Sequence, residues 1–366
     1  MVRYTFDLAS RADDAQLRYV LQRTPMRSSL ATITYEAEPS FFDSSCPVGA
    51  ETDVIICRDV EQNMTVGFGC RSIRKMFVNG EQTKIGYLSS LRCIPAYRNQ
   101  GLVARGYRAM RKLHESTEQP KWYFTTILEG NPHARNLLTS GRAGLPFYHA
   151  AGRFSTFLIP VTAMRGKQHP QETVQQVEAE SFLDEVNELG RQYQLFPYYE
   201  SNGWLQQCET DYDARFFVSG PSKKTSAVLG VIDQRCARQL VVKSYPRWLQ
   251  WCRHPLNCWY RLTGKPVIHK PPYNFKYVTA VLPLVDRASN AESILPVLKS
   301  VLEDSATRHA EYVALGMHES HQSYDLARRI SSHTFDAEVF LVSWELERTD
   351  LFGLDGRPFY LELGWL

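Results

Sequence analysis

The chain has 366 residues, of which 43% are hydrophobic, 12% aromatic and 22% charged. This composition excludes a disordered or fibrous chain and suits a globular protein of about two domains. The formal net charge of +3 is too small to indicate a nucleic-acid partner by itself, so none is expected.

The sequence predicts a cytoplasmic protein with no membrane partner. Asp13 and Asp14 lie where a secretory signal would need an apolar core, and no segment approaches the roughly 20 apolar residues that span a bilayer. Eight cysteines occur without CxxC pairs, which favours reduced, mostly buried thiols. Cys252, His254 and Cys258 come nearest to a metal motif, but no second ligand pair lies close to them, so no metal site is predicted.

Hydrophobic periodicity predicts alternating strands and helices through the first 160 residues. Strands are predicted over 2–8, 53–57, 64–76, 84–94, 121–128 and 148–159. Helices are predicted after Ser10, from Leu102 and over 133–140. Asn79-Gly80 predicts the turn of a hairpin.

A polar stretch, Met164 to Gln171, predicts a linker between residues 1–163 and 171–366. A long helix from Glu172 to Gln192 is predicted to follow it. Further strands are predicted over 214–218, 226–233, 239–245, 277–285, 312–316 and 338–345, with helices over 291–310 and 321–330. Because this order repeats that of the first half, we predict an α/β (α+β) fold of two tandem domains, each a mixed twisted sheet flanked by helices.

The corner between the strand ending near Ile94 and the helix beginning at Leu102 has the parts of a diphosphate site. A helix N-terminus leaves about four N–H groups unpaired and carries roughly half a positive charge, which suits phosphate. Gly101 leaves room for close approach of a ligand, and Arg98 adds a permanent cation. The alternative is that Arg98 is solvated and Gly101 merely shapes a turn.

The run from Cys93 to Leu102, CIPAYRNQGL, resembles motif A of the GNAT N-acetyltransferases, commonly V-x-P-x-Y-R-x-x-G-x-G/A. The matching positions are Pro95, Tyr97, Arg98 and Gly101, whereas Val103 replaces the usual glycine or alanine. Asn131 and Ala134 resemble the N-x-x-A of the family's later strand-to-helix junction, and the element order up to residue 160 also matches.

This resemblance implies a tandem GNAT-fold protein that uses acetyl-CoA as its acyl donor. Backbone groups of Leu91 and Cys93 would pair with the pantetheine arm as if it were another strand, and Asn131 would contact the arm near the thioester. The diphosphate would be held by Arg98, Asn99, Gln100, Gly101, Leu102, Val103 and Ala104.

The resemblance also implies direct attack of a primary amine on the thioester, assisted by a carboxylate base and a tyrosine acid. The usual tyrosine position holds Leu138, so Tyr148 is the nearest substitute; packing of its ring in a sheet is the alternative. Glu129 is the candidate base, with a surface carboxylate as the alternative. His133 and His149 are further candidates.

The second half lacks the R-x-x-G corner, and Asp286 would repel a diphosphate there. We therefore expect a degenerate GNAT-like domain that walls the acceptor pocket. The aromatic and basic segment from Tyr245 to Tyr260 is expected either to line that pocket or to form a packed hairpin excursion. Residues 357–366 are too apolar for a loose tail and are expected to dock, with the terminal carboxylate near a site.

The acceptor and the oligomeric state are not predicted. An amino sugar, an amino acid, a polyamine or a lysine side chain would each serve as acceptor. Two alternatives stay open: a longer acyl or aminoacyl donor, and a non-catalytic CoA-binding sensor. The corner and the small net charge argue against aminoacyl-tRNA, and a long acyl chain would require an apolar tunnel.

Overall fold

A computed structural model describes residues 3–27, 30–45, 49–117, 120–142, 144–166, 173–220, 225–263, 265–345, 348 and 352–366. Residues 167–171 of the predicted linker lie outside the described residues. Within these ranges, no helix is both long and apolar enough to cross a membrane.

The strands alternate with helices along the chain. The strands of the first half are β1 (Tyr4–Leu8), β2 (Met26–Arg27), β3 (Thr32–Glu36), β4 (Glu51–Asp59), β5 (Met64–Val78), β6 (Glu81–Cys93), β7 (Tyr123–Leu128) and β8 (Phe147–Pro160). Those of the second half are β9 (Val174–Val177), β10 (Phe196–Pro197), β11 (Arg215–Ser219), β12 (Ala227–Ile232), β13 (Gln239–Ser244), β14 (Tyr273–Asn274), β15 (Tyr277–Val285), β16 (Tyr312–His318) and β17 (His333–Ser343).

The helices pack on the sheets through apolar stripes; α3, for example, buries Leu102, Tyr107 and Met110. They are α1 (Asp14–Arg23), α2 (Phe41–Ser45), α3 (Leu102–Glu115), α4 (Pro132–Leu138), α5 (Leu183–Gly190), α6 (Trp204–Tyr212), α7 (Arg247–Leu262), α8 (Ile294–Thr307) and α9 (Tyr324–Ile330). The predicted fold class, mixed sheets flanked by helices, is confirmed.

The two halves share one sheet because they exchange their last strands. Its strand order is β1-β4-β5-β6-β7-β17-β8-β16-β15-β12-β11-β9, with β10 paired to β5. Strand β17 from the second half therefore lies between β7 and β8, while β8 from the first half lies between β17 and β16. The proposed division at residues 1–163 and 171–366 thus stays a prediction about the chain, since the sheet itself crosses that boundary.

A second sheet, in the order β14-β13-β3-β2, also joins the halves. Its central ladder pairs Gln239 to Val242 with Ile33 to Glu36. Two sheets and a shared core therefore connect the halves into one body.

Two sequence predictions in the second half are wrong. The expected helix from Glu172 to Gln192 is a short strand, β9, followed by α5, because Val174–Val177 pairs with the edge of β11. The apolar spacing of three residues in this strand also fits a helix, so periodicity alone could not separate the two. The aromatic segment is neither a hairpin nor a pocket wall but the helix α7.

The cysteines also differ from expectation. The seven in the described residues are free thiols, but three of them, Cys236, Cys252 and Cys258, are exposed.

Gly86 is the point where β6 and β7 meet. A Cβ atom built on Gly86 would lie 2.0 Å from Cδ1 of Tyr123. The Tyr123 ring cannot move aside, because its hydroxyl is within hydrogen-bond distance of Arg71 Nε at 3.1 Å and His114 Nδ1 at 3.0 Å. Gly86 is therefore required by packing.

We expect Gly86→Ala to lower the free energy of unfolding by about 3 kcal/mol, because the added methyl overlaps a pinned ring. Gly69→Ala, a glycine on the neighbouring strand whose Cβ would meet only Leu91 Cδ1 at 3.7 Å, is the matched control and should change it by less than about 1 kcal/mol. Urea denaturation measures both. Equal stability of the two variants would contradict the packing argument.

Candidate functional site

Strands β6 and β7 separate soon after they meet. Their parallel ladder contains only Gly86↔Tyr123 and Tyr87↔Phe124. One further contact follows, from Thr125 Oγ1 to the Leu88 carbonyl at 2.6 Å. Beyond it, the described residues of β6 and β7 form no backbone pair, so a gap opens between the two strand edges.

Backbone groups at the end of β6 face this gap. The Ile94 amide donates to the Val66 carbonyl at 2.9 Å and therefore faces β5. Because successive residues of a strand point their backbone groups to opposite sides, those of Cys93 and Leu91 face the gap. This arrangement suits the predicted pairing of Leu91 and Cys93 with an extended ligand.

A β-bulge interrupts β6 beside the gap. The register with β5 shifts between Phe68↔Arg92 and Cys70↔Ser89, and Ser90 has a φ of 52°. A bulge changes the local direction of the backbone. The amides of β6 near Ser90 therefore point away from the ladder with β5.

The corner at Gly101 leaves helix amides open. Gly101 is the N-cap residue of α3, has a φ of 69° and makes no side-chain cap. The first helical bond runs from the Arg105 amide to the Gly101 carbonyl at 3.2 Å, so the amides of residues 102–104 have no intrahelical acceptor. A Cβ atom on Gly101 would meet no atom within 4 Å. The corner thus presents a helix N-terminus to open space, as a diphosphate site requires.

The polar side chains of the corner are oriented by neighbours. Arg98 Nε donates to the Cys93 carbonyl at 3.3 Å, which holds this exposed cation over the end of β6. Gln100 Oε1 accepts from the Tyr4 hydroxyl at 2.6 Å, so Gln100 offers a ligand chiefly its backbone. Asn99 has a φ of 62°, and this second left-handed residue helps the chain turn into α3.

The corresponding corner in the second half is closed by its own side chains. The Ala288 amide donates to Asp286 Oδ1 at 3.4 Å, and the Glu292 amide donates to Asn290 Oδ1 at 3.1 Å. This arrangement agrees with the predicted degeneracy of the second half.

The C-terminal segment also fills the bulge of β15. Leu282 has a φ of 53°, close to that of Ser90, and its amide donates to Glu362 Oε2 at 3.1 Å. Burial raises the pKa of Glu362 to about 7. Tyr360, Leu361 and Glu362 are buried, which confirms that residues 357–366 dock.

A cavity of about 390 Å³ occupies the gap between β6 and β7. The predicted donor-binding residues that line it are Leu91, Cys93, Leu102, Val103 and Asn131. The other predicted residues, Arg98, Asn99, Gln100, Gly101 and Ala104, belong to the corner at its end.

Three glycines extend the cavity beneath α3. Phe68 and Cys70 pack against the α1 side of the sheet, so Gly67 and Gly69, which alternate with them, face α3. Gly106 of α3 also lines the cavity, and a Cβ atom on it would lie 3.5 Å from the Phe6 ring. A large side chain at Gly69 would enter the space between helix and sheet, whereas a Cβ atom on Gly67 would lie only 2.6 Å from the Arg92 carbonyl oxygen.

The floor of this extension lies far from the gap. Ile55 and Cys57 of β4 line it, together with Phe6 of β1. Because β4 is two strands away from β6, this floor lies about 10 Å from the edge of β6 at the usual strand spacing. Burial raises the pKa of the Cys57 thiol to about 12, so the thiol is an inert, apolar surface.

The hydroxyl groups of two tyrosines are in contact beside the cavity. Tyr107 lines the cavity, and its hydroxyl lies 2.6 Å from that of Tyr148, which does not line it. Burial raises the pKa of Tyr107 to about 12 and that of Tyr148 well above its ordinary value, so both phenols are protonated at neutral pH. Sequence reasoning found Tyr148 but missed Tyr107, whose polar tip in the apolar stripe of α3 was the available signal.

The other predicted catalytic groups lie outside the cavity lining. Glu129 accepts from Arg153 Nε at 2.9 Å on the surface, and it would have to leave that partner to take a proton. Its role as general base stays a prediction. His133 is exposed, His149 packs on Phe352, and Leu138 forms part of the cavity wall.

The side-chain amide of Asn131 is bonded to the protein through its oxygen but not through its nitrogen in the described residues. Its Oδ1 accepts from the Ala134 amide at 3.2 Å and so caps α4. Within the described part of the chain, its Nδ2 has no acceptor. The N-x-x-A pattern is therefore partly a capping motif, and the amide nitrogen is left for a ligand.

The cavity also opens on the opposite face of the sheet. Leu363 and Leu366 of the docked segment line it there, together with Met26 and Phe154. Arg92 is half-buried at the same mouth, where burial lowers the pKa of its guanidinium group. The second half thus contributes Ala337 of β17 and the C-terminal residues Leu363 and Leu366 to the cavity lining, whereas no residue of α7, which the structure describes throughout, lines it. That this wall faces the acceptor stays a prediction.

Known structures share this architecture. The chain is similar to Saccharomyces cerevisiae N-myristoyltransferase with bound myristoyl-CoA, with a TM-score of 0.57 and 9% identity over 95% of this chain and 80% of that chain. It is similar to a tandem GNAT protein from the clavulanic acid biosynthesis pathway, with a TM-score of 0.56 and 11% identity over 93% of this chain and 98% of that chain. It is also similar to a probable N-acyltransferase from Enterococcus faecalis V583, with a TM-score of 0.52 and 9% identity over 95% of this chain and 74% of that chain.

No protein-family model and no curated protein sequence matches the chain. The structural similarities nevertheless show the tandem GNAT fold that motif A and the repeated element order predicted.

We expect Gly101→Val to weaken CoA binding more than tenfold, because the side chain fills the approach to the α3 amides. The matched control is Gly141→Val, since Gly141 has a similar φ of 63° and equally open surroundings. Both variants carry about 1–2 kcal/mol of backbone strain. Calorimetric titration with CoA separates them, and equal affinity in the two variants would show that the corner is merely a turn.

Proposed function

We propose that the protein is an N-acyltransferase that moves an acyl group from a CoA thioester to a primary amine. The observation that carries the proposal is the gap between β6 and β7, in which the edge of β6 has no strand partner among the described residues and leads to the open N-terminus of α3. An extended amide-containing arm suits the edge, and a diphosphate suits the helix end.

The two mouths of the gap favour attack from the opposite face. The amine nitrogen would enter past Arg92 and Leu366 and bond to the thioester carbon, after which the carbon–sulfur bond breaks. The amine loses one proton and the sulfur gains one, so no protein nucleophile is needed. An amine attached to an acidic group would complement the half-buried Arg92 guanidinium.

The bulge of β6 is suited to stabilise the oxyanion. In the second half, the equivalent left-handed residue, Leu282, donates its amide to a carboxylate oxygen of Glu362. By this internal comparison, an amide at the Ser90 bulge would donate to the oxygen of the thioester as negative charge develops there.

The tyrosine pair is suited to protonate the leaving sulfur. Tyr107 would donate from the cavity wall, while Tyr148 positions it through the 2.6 Å contact. This assignment keeps the predicted involvement of Tyr148 but gives the direct role to its partner.

The depth of the cavity favours an acyl chain longer than acetyl. A two-carbon group at the gap could not reach the floor formed by Ile55 and Cys57, about 10 Å away. The apolar space beside Gly69 and Gly106 would instead hold a chain. The myristoyl-CoA bound by the yeast enzyme of the same fold supports this choice of donor. Acetyl-CoA, which motif A predicts, is the second candidate.

A CoA-release assay tests the proposal. Acyl-CoA donors from acetyl to myristoyl would be combined with a panel of primary amines that includes amines bearing carboxylate and phosphate groups. We expect turnover with at least one pair. Tight CoA binding without turnover would support a sensor instead.

We expect Gly69→Val to shift chain-length preference. The new side chain fits beside Leu91 but occupies the space beneath α3, so kcat/KM for long acyl donors should fall more than tenfold while that for acetyl-CoA is retained. Gly356→Val, at a glycine with no atom near its Cβ position, is the control. An equal loss for all donors would contradict the chain pocket.

We expect Tyr107→Phe to lower kcat at least tenfold with little change in the donor KM, and Tyr148→Phe to have a smaller effect in the same direction. Because burial raises the pKa of Tyr107 to about 12, the acid form persists through pH 10, and wild-type kcat should show no loss near that pH from this group. Tyr19→Phe, on an exposed helix face, is the control. Unchanged kcat in Tyr107→Phe would remove it as the acid.

A further inference from the structure

Helix α7 presents an apolar face to solvent. Trp251 is 83% exposed and Leu262 is 87% exposed, and Trp248 and Trp259 are each more than half exposed. At 3.6 residues per turn, these four side chains fall within an arc of about 80°. Single exposed apolar residues are common, but three tryptophans and a leucine on one stripe form a patch of the kind that marks an interaction surface.

The opposite face of α7 is attached to the protein. Leu249 is buried, and Leu256 and Tyr260 are half-buried. The Asn257 side chain clamps residue 268, accepting from the Ile268 amide at 2.7 Å and donating to its carbonyl at 2.9 Å. The exposed stripe therefore belongs to a docked helix that has a second apolar face.

The chain around α7 is strongly basic. No aspartate or glutamate occurs from Gln234 to Val285, whereas the whole protein has 39 acidic residues. The same stretch contains nine cationic residues: Arg235, Arg238, Lys243, Arg247, Arg253, Arg261, Lys265, Lys270 and Lys276. It therefore carries more positive charge than the net charge of the whole chain.

The cations on and after α7 are free to meet an external anion. Lys243 pairs with Glu36, and Lys276 lies 3.7 Å from Glu311. In contrast, five cations have no carboxylate partner in the part of the chain that the structure describes: Arg247, Arg253, Arg261, Lys265 and Lys270. Lys265 Nζ lies 4.9 Å from the Trp259 ring centre, which places a cation at the border of the apolar stripe.

We propose that α7 docks the protein on an anionic phospholipid surface. The tryptophan stripe would enter the headgroup region, where the amphipathic indole ring is favoured, while the flanking cations meet lipid phosphates. A second copy of the chain is a poorer occupant because two such basic surfaces repel each other. A nucleic acid would leave the apolar stripe without a role. The proposal is independent of the acyl-transfer reaction, and it replaces the expectation of no membrane partner.

The position of α7 connects this surface to the cavity. Strand β13, which leads into α7, pairs with β3, and β3 pairs with β2. Met26 of β2 lines the acceptor mouth of the cavity. Docking would hold that part of the molecule near the lipid surface.

Vesicle flotation tests the proposal. The full chain would be mixed with vesicles of phosphatidylcholine alone or of phosphatidylcholine and phosphatidylglycerol in equal amounts. We expect binding to the anionic vesicles only, with a blue shift of tryptophan fluorescence and a decline as salt is added. No binding, or equal binding to both vesicles, would overturn the proposal.

Variants assign the binding to α7. Trp251→Glu should weaken partition into anionic vesicles roughly tenfold or more, and Arg261→Gln about fivefold. Tyr19→Glu, which changes an exposed aromatic residue on α1, is the matched control and should bind as wild type. Circular dichroism should show all three folded, since none of the three side chains is buried. Equal binding by Trp251→Glu and wild type would overturn the assignment. It would also be overturned if the wild-type protein did not bind vesicles but sedimented as a dimer, and if Trp251→Glu abolished that dimer.

Discussion

Strand β7 contacts β6 only over its first residues, Tyr123 to Thr125, and then separates from it. The Tyr123 ring covers Gly86, and its hydroxyl contacts Arg71 and His114, so the strands stay together there. On its other edge β7 pairs through six residues with β17, which belongs to the second half of the chain. Because β7 follows β17 and not β6, the backbone edge beyond Leu88 is left without a strand partner. The gap, the cavity and the access to the α3 amides all depend on this divergence.

In the second half, the amides of the corresponding corner are bonded by its own side chains, and this half contributes to the site of the first half instead. It supplies β17 to the first half, and its own bulge at Leu282 is filled by Glu362 of the docked C-terminal segment. The same segment continues to Leu363 and Leu366, which line the first half's cavity. One stretch of chain therefore closes one potential site and shapes the other. The Glu362 carboxylate accepts from the Leu282 amide, the Tyr360 hydroxyl and the Gly364 amide. Its burial is nevertheless unfavourable for the charged form, as the raised pKa of Glu362 indicates.

Local features of the sequence predicted the turn into α3 at Gly101, but they did not predict the cavity beneath α3 or the tyrosine pair. A glycine and an arginine after a strand have a local meaning, and Gly101 and Arg98 do lie at the turn into α3. That they bind a diphosphate stays a prediction. The pocket beneath α3 was not predictable, because it arises from the juxtaposition of Gly67 and Gly69 with Gly106 on another element. The pairing of Tyr107 with Tyr148 is likewise a tertiary contact. The helix predicted from Glu172 failed because the edge of β11 offered backbone partners that no local pattern reveals. For α7, the sequence shows the aromatic content directly, but the absence of acidic residues from Gln234 to Val285 is the more informative signal.

A crystal structure of the protein with CoA bound tests most directly whether the gap is the donor site. We predict that the pantetheine arm lies between β6 and β7, alongside Leu91 and Cys93, with the diphosphate at the amides that follow Asn99 and the sulfur near Tyr107. A complex in which CoA lies elsewhere, while the gap stays closed by protein side chains, would contradict it.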